Sequence, residues 1–167
     1  MRPLLEYCVQ VWSPNKQKYI ELIEGVQKRA VRFIPGFRGM TYEQRLEKLK
    51  LTKLVDRRFR GDMIQTYKIL TNKDDTNRET FFQMKRERGD PGLNRGLKIY
   101  KKGFRRERRR NVFSQRVVTA WNQEKKEVVQ AATTSGFKAG FDREEVSRRE
   151  AREGSDVRPY KLLYRMS

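Results

Sequence analysis

The stretch Thr52-Lys53-Leu54-Val55-Asp56-Arg57-Arg58-Phe59-Arg60-Gly61-Asp62-Met63-Ile64-Gln65-Thr66-Tyr67-Lys68-Ile69-Leu70 sets the fold class. Val55, Phe59, Met63, Tyr67 and Leu70 recur every three or four residues, the period of an amphipathic α-helix rather than of a strand. Thr52 precedes the first apolar residue and is a candidate cap. Gly61 costs roughly 1 kcal/mol relative to alanine inside a helix and marks a place where a neighbour can approach closely. Arg57, Arg58 and Arg60 flank the stripe and form a candidate basic patch.

Working upstream, Thr41 with Gln44 three residues on gives a capping-box pattern for a short helix bearing Leu46 and Leu49. Residues 16–34 predict a longer helix with Ile20, Ile23, Val26, Ala30 and Phe33 on one face, widened by Leu22, Val31 and Ile34 and ended by Pro35-Gly36. Leu4, Leu5, Cys8, Val11 and Trp12 predict a first helical segment closed by Ser13-Pro14-Asn15. Met1-Arg2-Pro3 is followed by an apolar pair broken at Glu6, which is no signal peptide. A chain starting directly on an apolar segment reads as cut from something larger.

Working downstream, Thr71 to Thr80 is polar and serves as the internal boundary. Phe81 to Gly103 is interrupted by Gly89, Pro91, Gly92 and Gly96, with a short strand expected around Leu97, Ile99 and Lys101. Phe113, Val117 and Trp121 form a narrow helical stripe, and Val128, Val129, Phe137 and Phe141 predict further helical turns. Trp12 and Trp121 are expected as anchors of two packed units, with stacking on a base as the competing role for Trp121. The expected fold is mainly α. A thumb-like helical bundle covers residues 1–72, and a basic, Gly-rich irregular region with short C-terminal helices covers 73–142. A charged, poorly ordered tail covers 143–167.

Charge is the strongest compositional feature. The 167 residues carry 40 Lys plus Arg against 21 Asp plus Glu, a net charge of +19, with 36% hydrophobic residues and a mean hydropathy of −0.96. The core is therefore thin for this length. Between Arg95 and Arg116 lie ten Lys or Arg and one acid, Glu107. Such a block repels itself unless an anion lies against it, and a nucleic-acid backbone is the anion that releases counterions on neutralisation. Lys98, Lys101, Lys102, Arg105, Arg106, Arg108, Arg109, Arg110 and Arg116 are the candidate phosphate contacts, with Arg57, Arg58 and Arg60 as a second patch. The competing reading is a solvated loop without a specific partner.

One cysteine, Cys8, and no histidine exclude an internal disulfide, Cys/His zinc sites and histidine-based nucleophilic catalysis. Asp74-Asp75 is the only paired-aspartate sequence. Two-metal chemistry needs carboxylates on rigid elements aimed at one point, and this pair lies in a polar loop. Glu21, Glu24, Glu43 and Glu47 read as surface pairs. No cofactor, metal, small-molecule substrate or enzymatic activity is expected of this chain. No apolar run approaches the roughly 20 residues of a membrane helix, so an intracellular protein, nuclear or cytoplasmic, is expected.

Several strings in order carry a resemblance: Arg2-Pro3-Leu4-Leu5-Glu6-Tyr7 with Val11-Trp12-Ser13-Pro14; Leu22-Ile23-Glu24 with Val26-Gln27-Lys28-Arg29-Ala30; Ile34-Pro35-Gly36; Tyr42-Glu43 with Arg45-Leu46; Arg57-Arg58 with Arg60-Gly61-Asp62 and Tyr67-Lys68-Ile69-Leu70; Phe113-Ser114-Gln115-Arg116-Val117-Val118 with Trp121-Asn122; and Phe137-Lys138. Over about residues 2 to 142 the chain resembles the C-terminal part of non-LTR (LINE-like, jockey-type) retrotransposon reverse transcriptases. The resemblance implies a thumb and post-thumb region that grips a template–primer duplex. The palm, with its aromatic-x-Asp-Asp motif, and the endonuclease lie outside this chain. Where such proteins carry Leu-Pro after Trp-Asn, this chain has Gln123-Glu124-Lys125-Lys126, and residues 143–167 match no part of the pattern. A freestanding basic RNA-binding or chromatin-associated module is the alternative, and a decayed retroelement fragment without biochemical role is the second.

Overall fold

The computed structural model describes residues 5–85 and 97–153, without the side chains of Glu107, Arg108, Arg152 and Glu153. The chain is mainly helical and divides into two compact units between Gly61 and Asp62. This division falls inside a helix, whereas the polar loop after Leu70 is the boundary expected from composition.

The first unit holds α1 (Val9–Trp12), α2 (Gln17–Arg32), α3 (Tyr42–Lys48) and the first half of α4 (Leu54–Leu70). Cys8 adopts a left-handed conformation, φ 49°, which resets the register after Leu5-Glu6. Val9 is therefore the buried residue of α1, while Cys8, Val11 and Trp12 are exposed, correcting the predicted face. Val9 Cγ2 lies 3.8 Å from the position a Cβ would take on Gly61. The expected neighbour is there, at a distance alanine would tolerate.

α2 buries Ile20, Gln27 and Val31 and leaves Leu22 and Ala30 exposed, as is Phe33 just beyond its end. The buried face is rotated from the predicted one because it is organised around a polar group. Gln27 Nε2 donates to Tyr42 Oη (2.9 Å) and to the Thr52 carbonyl (3.2 Å), and Gln27 Oε1 accepts from Arg57 Nη2 (2.6 Å). Glu24 accepts from the Tyr42 hydroxyl and from the Leu54 backbone N–H (2.9 Å). The carboxylate thus caps α4 from another helix, where Thr52 was the expected cap and Glu24 an expected surface residue. Buried polar groups of this kind persist only when partnered. The Thr41–Gln44 capping box is formed in both directions, and Glu43 pairs with Lys53 at 3.4 Å.

Burial, and then the hydrogen bond to Glu24, holds the Tyr42 phenol well above its ordinary value of 10.0. A raised folded-state pKa means the contribution of Tyr42 is fully present below about pH 10 and is lost as pH rises toward the raised value. An alkaline absorbance titration should show a tyrosine step above the ordinary phenol value, and Tyr42→Phe should remove it. A titration curve at high pH that Tyr42→Phe leaves unchanged contradicts this network.

The second unit begins with the rest of α4 and continues through α5 (Arg78–Phe81), α6 (Glu107–Arg110), α7 (Phe113–Arg116), α8 (Val118–Gln123), α9 (Lys126–Val129) and α10 (Thr134–Glu153). Among the described residues the expected strand near Ile99 is reduced to one antiparallel bridge, Met84 with Ile99. The core centres on Phe137, whose ring stacks on Tyr67 (4.4 Å, 14°), Trp121 (5.9 Å) and Phe141 (5.9 Å). Tyr67 Oη donates to the Ala131 carbonyl. At Gly140 of α10, an added Cβ would meet Val128 Cγ2 of α9 at 3.3 Å, so glycine permits this crossing.

α10 runs on through residues 143–153, which were expected to be poorly ordered; residues 154–167 of that tail lie outside the described residues. An ion-pair set accompanies this half of the helix. Glu124 is buried and accepts from Arg148 through both oxygens (2.8 and 2.9 Å), and Lys125 pairs with Glu144 at 2.9 Å. These pairs hold the charged half of α10 against the core.

Candidate nucleic-acid interface

The basic loop leaves the second unit at Ile99 and returns at Phe113, both buried. Its first root is fixed by Trp121-Asn122. Trp121 Nε1 donates to the Leu97 carbonyl (2.9 Å), the Ile99 N–H donates to Asn122 Oδ1 (3.0 Å), and Asn122 Nδ2 donates to the Ile99 carbonyl (2.8 Å). The Asn122 amide thus pairs with Ile99 as a neighbouring strand would. Trp121 is buried, so it is a core anchor and cannot present a face to a base.

The second root is fixed by Arg116. Its Nε and Nη2 donate to Asp62 Oδ2 (2.9 Å) and Oδ1 (3.0 Å), and Nη1 donates to the Asn111 carbonyl (3.2 Å). With Asp62 almost wholly buried, this bidentate pair is structural. Arg116 therefore leaves the predicted set of phosphate contacts.

The patch at Arg57, Arg58 and Arg60 is corrected in the same way. Arg58 is 3% exposed, with its guanidinium 5.7 Å from the Trp12 ring centroid. Arg57 pairs with Glu6 at 2.9 Å and donates to Thr52 and Gln27. Both lie on the inward side of α4, because the buried stripe there is Leu54, Arg58 and Asp62 rather than Val55 and Phe59. Arg60 is half-buried.

What remains outward is Lys101, Lys102, Arg105, Arg106 and Arg109, all exposed; Lys98 and Arg110 are half-buried, and the Arg108 side chain lies outside the described residues. Lys101 Nζ donates to Thr119 Oγ1 at 2.9 Å, which draws the loop toward α8. Arg109 N–H donates to the Arg106 carbonyl at 3.0 Å as α6 begins. Five exposed cations between Ile99 and Phe113, both ends held by a folded core, concentrate positive potential where a polyanion can reach it. Tyr100 and Phe104, also exposed, lie in the same loop; the alternation of aromatic residues with basic pairs is the sequence signal that marks them. Asp62 and Asn122 carry no such signal, since only folding reveals their partners.

Asp74 and Asp75 stay in a turn after α4. Asp74 accepts from Gln65 Nε2 (2.8 Å) and from the Thr76 N–H (3.2 Å) and hydroxyl, and these hydrogen bonds, the Thr76 hydroxyl first, hold its carboxyl below the usual value. Among the described residues no three His, Cys, Asp or Glu side chains cluster as metal ligands, and no helix is long and apolar enough to cross a membrane. No family model matches this chain, and neither a curated protein nor a solved structure matches it.

Proposed function

We propose that this chain is a non-catalytic portion of a non-LTR retrotransposon RNA-directed DNA polymerase that holds RNA or DNA by the phosphate backbone, without regard to sequence. The observation that carries the binding role is the outward set Lys101, Lys102, Arg105, Arg106 and Arg109 on a loop rooted at Ile99 and Phe113. The order of the resembling strings supports the retroelement origin. Phosphate contacts position a nucleic acid but read no bases, and no base-reading helix face is needed for this role.

Fluorescence anisotropy at a series of salt concentrations tests it. Affinity should be modest, roughly 10⁻⁴ to 10⁻⁶ M at physiological salt. With about five phosphates engaged, log K should fall with log salt at a slope near −4 to −5 on duplex DNA. Changing Lys101, Lys102, Arg105, Arg106 and Arg109 to glutamine should flatten that slope and weaken all sequences alike. A slope unchanged by these substitutions would falsify the loop as the phosphate site.

A further inference from the structure

Tyr100-Lys101-Lys102-Gly103-Phe104-Arg105-Arg106 places two aromatic rings beside two pairs of cations, with no acid among them. Tyr100 is 48% exposed and Phe104 39% exposed. The other phenylalanines that follow in this unit, Phe113, Phe137 and Phe141, are buried. Phe81 is also partly exposed, but its ring packs edge-on against Phe113 at 6.2 Å. A methyl group added at Gly103 would meet no atom within 4 Å, so the chain is open to solvent at this point of the loop. Leaving apolar ring surface in water has a solvation cost, and here it is incurred beside four exposed cations, Lys101, Lys102, Arg105 and Arg106.

We propose that this loop takes single-stranded nucleic acid, Tyr100 and Phe104 stacking on unpaired bases while Lys101, Lys102, Arg105 and Arg106 meet the adjoining phosphates. This rests on the phosphate-binding role proposed above and names the form of nucleic acid. A ring face between cations complements an unpaired nucleotide, which offers a π-face and an anion together. A duplex keeps its base faces stacked and offers the phosphates alone. An anionic membrane also attracts aromatic and basic residues, but insertion depends on a broad apolar face, and two half-exposed rings supply little area.

The full chain is titrated against labelled oligo(dT), oligo(U) and a duplex of equal length at one salt concentration. The single strands should bind more tightly than the duplex. Phe104→Ala and Tyr100→Ala should each weaken single-strand binding about tenfold and leave duplex binding within about twofold, since the phosphate contacts that hold the duplex remain. Tyr100→Phe should retain affinity. Phe104→Leu should lose it as alanine does, because stacking needs a ring rather than apolar bulk. Phe104→Trp should retain affinity and add emission that is quenched on binding, over the background of Trp12 and Trp121; it also serves as the folded control. Comparing oligo(dT) with oligo(U) separates DNA from RNA as the preferred strand. If both alanine variants bind single strands like the parent while the glutamine variant does not, stacking is wrong and phosphate binding stands. If the glutamine variant binds like the parent too, the underlying reading fails. Tighter binding to phosphatidylserine vesicles than to either oligonucleotide, retained in Phe104→Leu, overturns the proposal in favour of a membrane surface.

Discussion

Phe137→Ala is expected to remove about 3–5 kcal/mol of stability. The Phe137 ring is fully buried and touches three others, Tyr67, Trp121 and Phe141. Truncation therefore loses both the transfer term and the aromatic contacts, and the rigid flanking rings leave a cavity that cannot easily close. Domains of this size retain only about 5–15 kcal/mol in total, so the fraction lost is large. Guanidinium unfolding followed by far-ultraviolet circular dichroism measures it. Phe137→Leu, which refills part of the volume, should recover some of the loss. A midpoint for Phe137→Ala equal to the parent's contradicts the packing described.

Asp62→Ala is expected to cost about 3–5 kcal/mol, because it leaves the Arg116 guanidinium in a largely buried site without its bidentate partner. The side chains of Asp62 and Arg116 are 6% and 17% exposed, so solvent screening offsets little. Replacing both, as Asp62→Ala with Arg116→Met, should cost less than Asp62→Ala alone, since no charge is left uncompensated. Equal losses in the single and double variants would mean that Asp62 acts through packing rather than through the pair. Arg116→Met should also leave the salt slope of nucleic-acid binding unchanged if the unit stays folded, separating a structural arginine from those that face phosphates.

Both variants probe what the sequence alone reveals unevenly. The apolar period from Met63 to Leu70 and the Thr41–Gln44 capping box are local features, encoded by neighbours along the chain, and both appear as predicted. Burial faces are less local. Arg58 reads as an outward residue because charged side chains normally are, yet it lies inward, as does Gln27, which is held there by partners 15 to 30 residues away. The same holds for Arg116, separated by 54 residues from the carboxylate that claims it. Charge density identified the loop, but only the fold distinguishes arginines that complete the core from those that face solvent. The charged half of α10 is hidden from the sequence for a related reason. Its low hydrophobicity hides the fact that Glu124 and Lys125 supply ion-pair partners for Arg148 and Glu144.

The most direct test of the phosphate-binding loop is a residue-resolved map of where nucleic acid touches the chain. In a nitrogen-15 NMR titration with a single-stranded oligonucleotide, shifts should concentrate on the backbone of residues 98–110 and on the side-chain Nε–H groups of Arg105, Arg106 and Arg109. The guanidinium signals of Arg58 and Arg116 should stay in place. Shifts centred on Arg57, Arg58 and Arg60, or a saturated complex with no change across 98–110, would contradict the account.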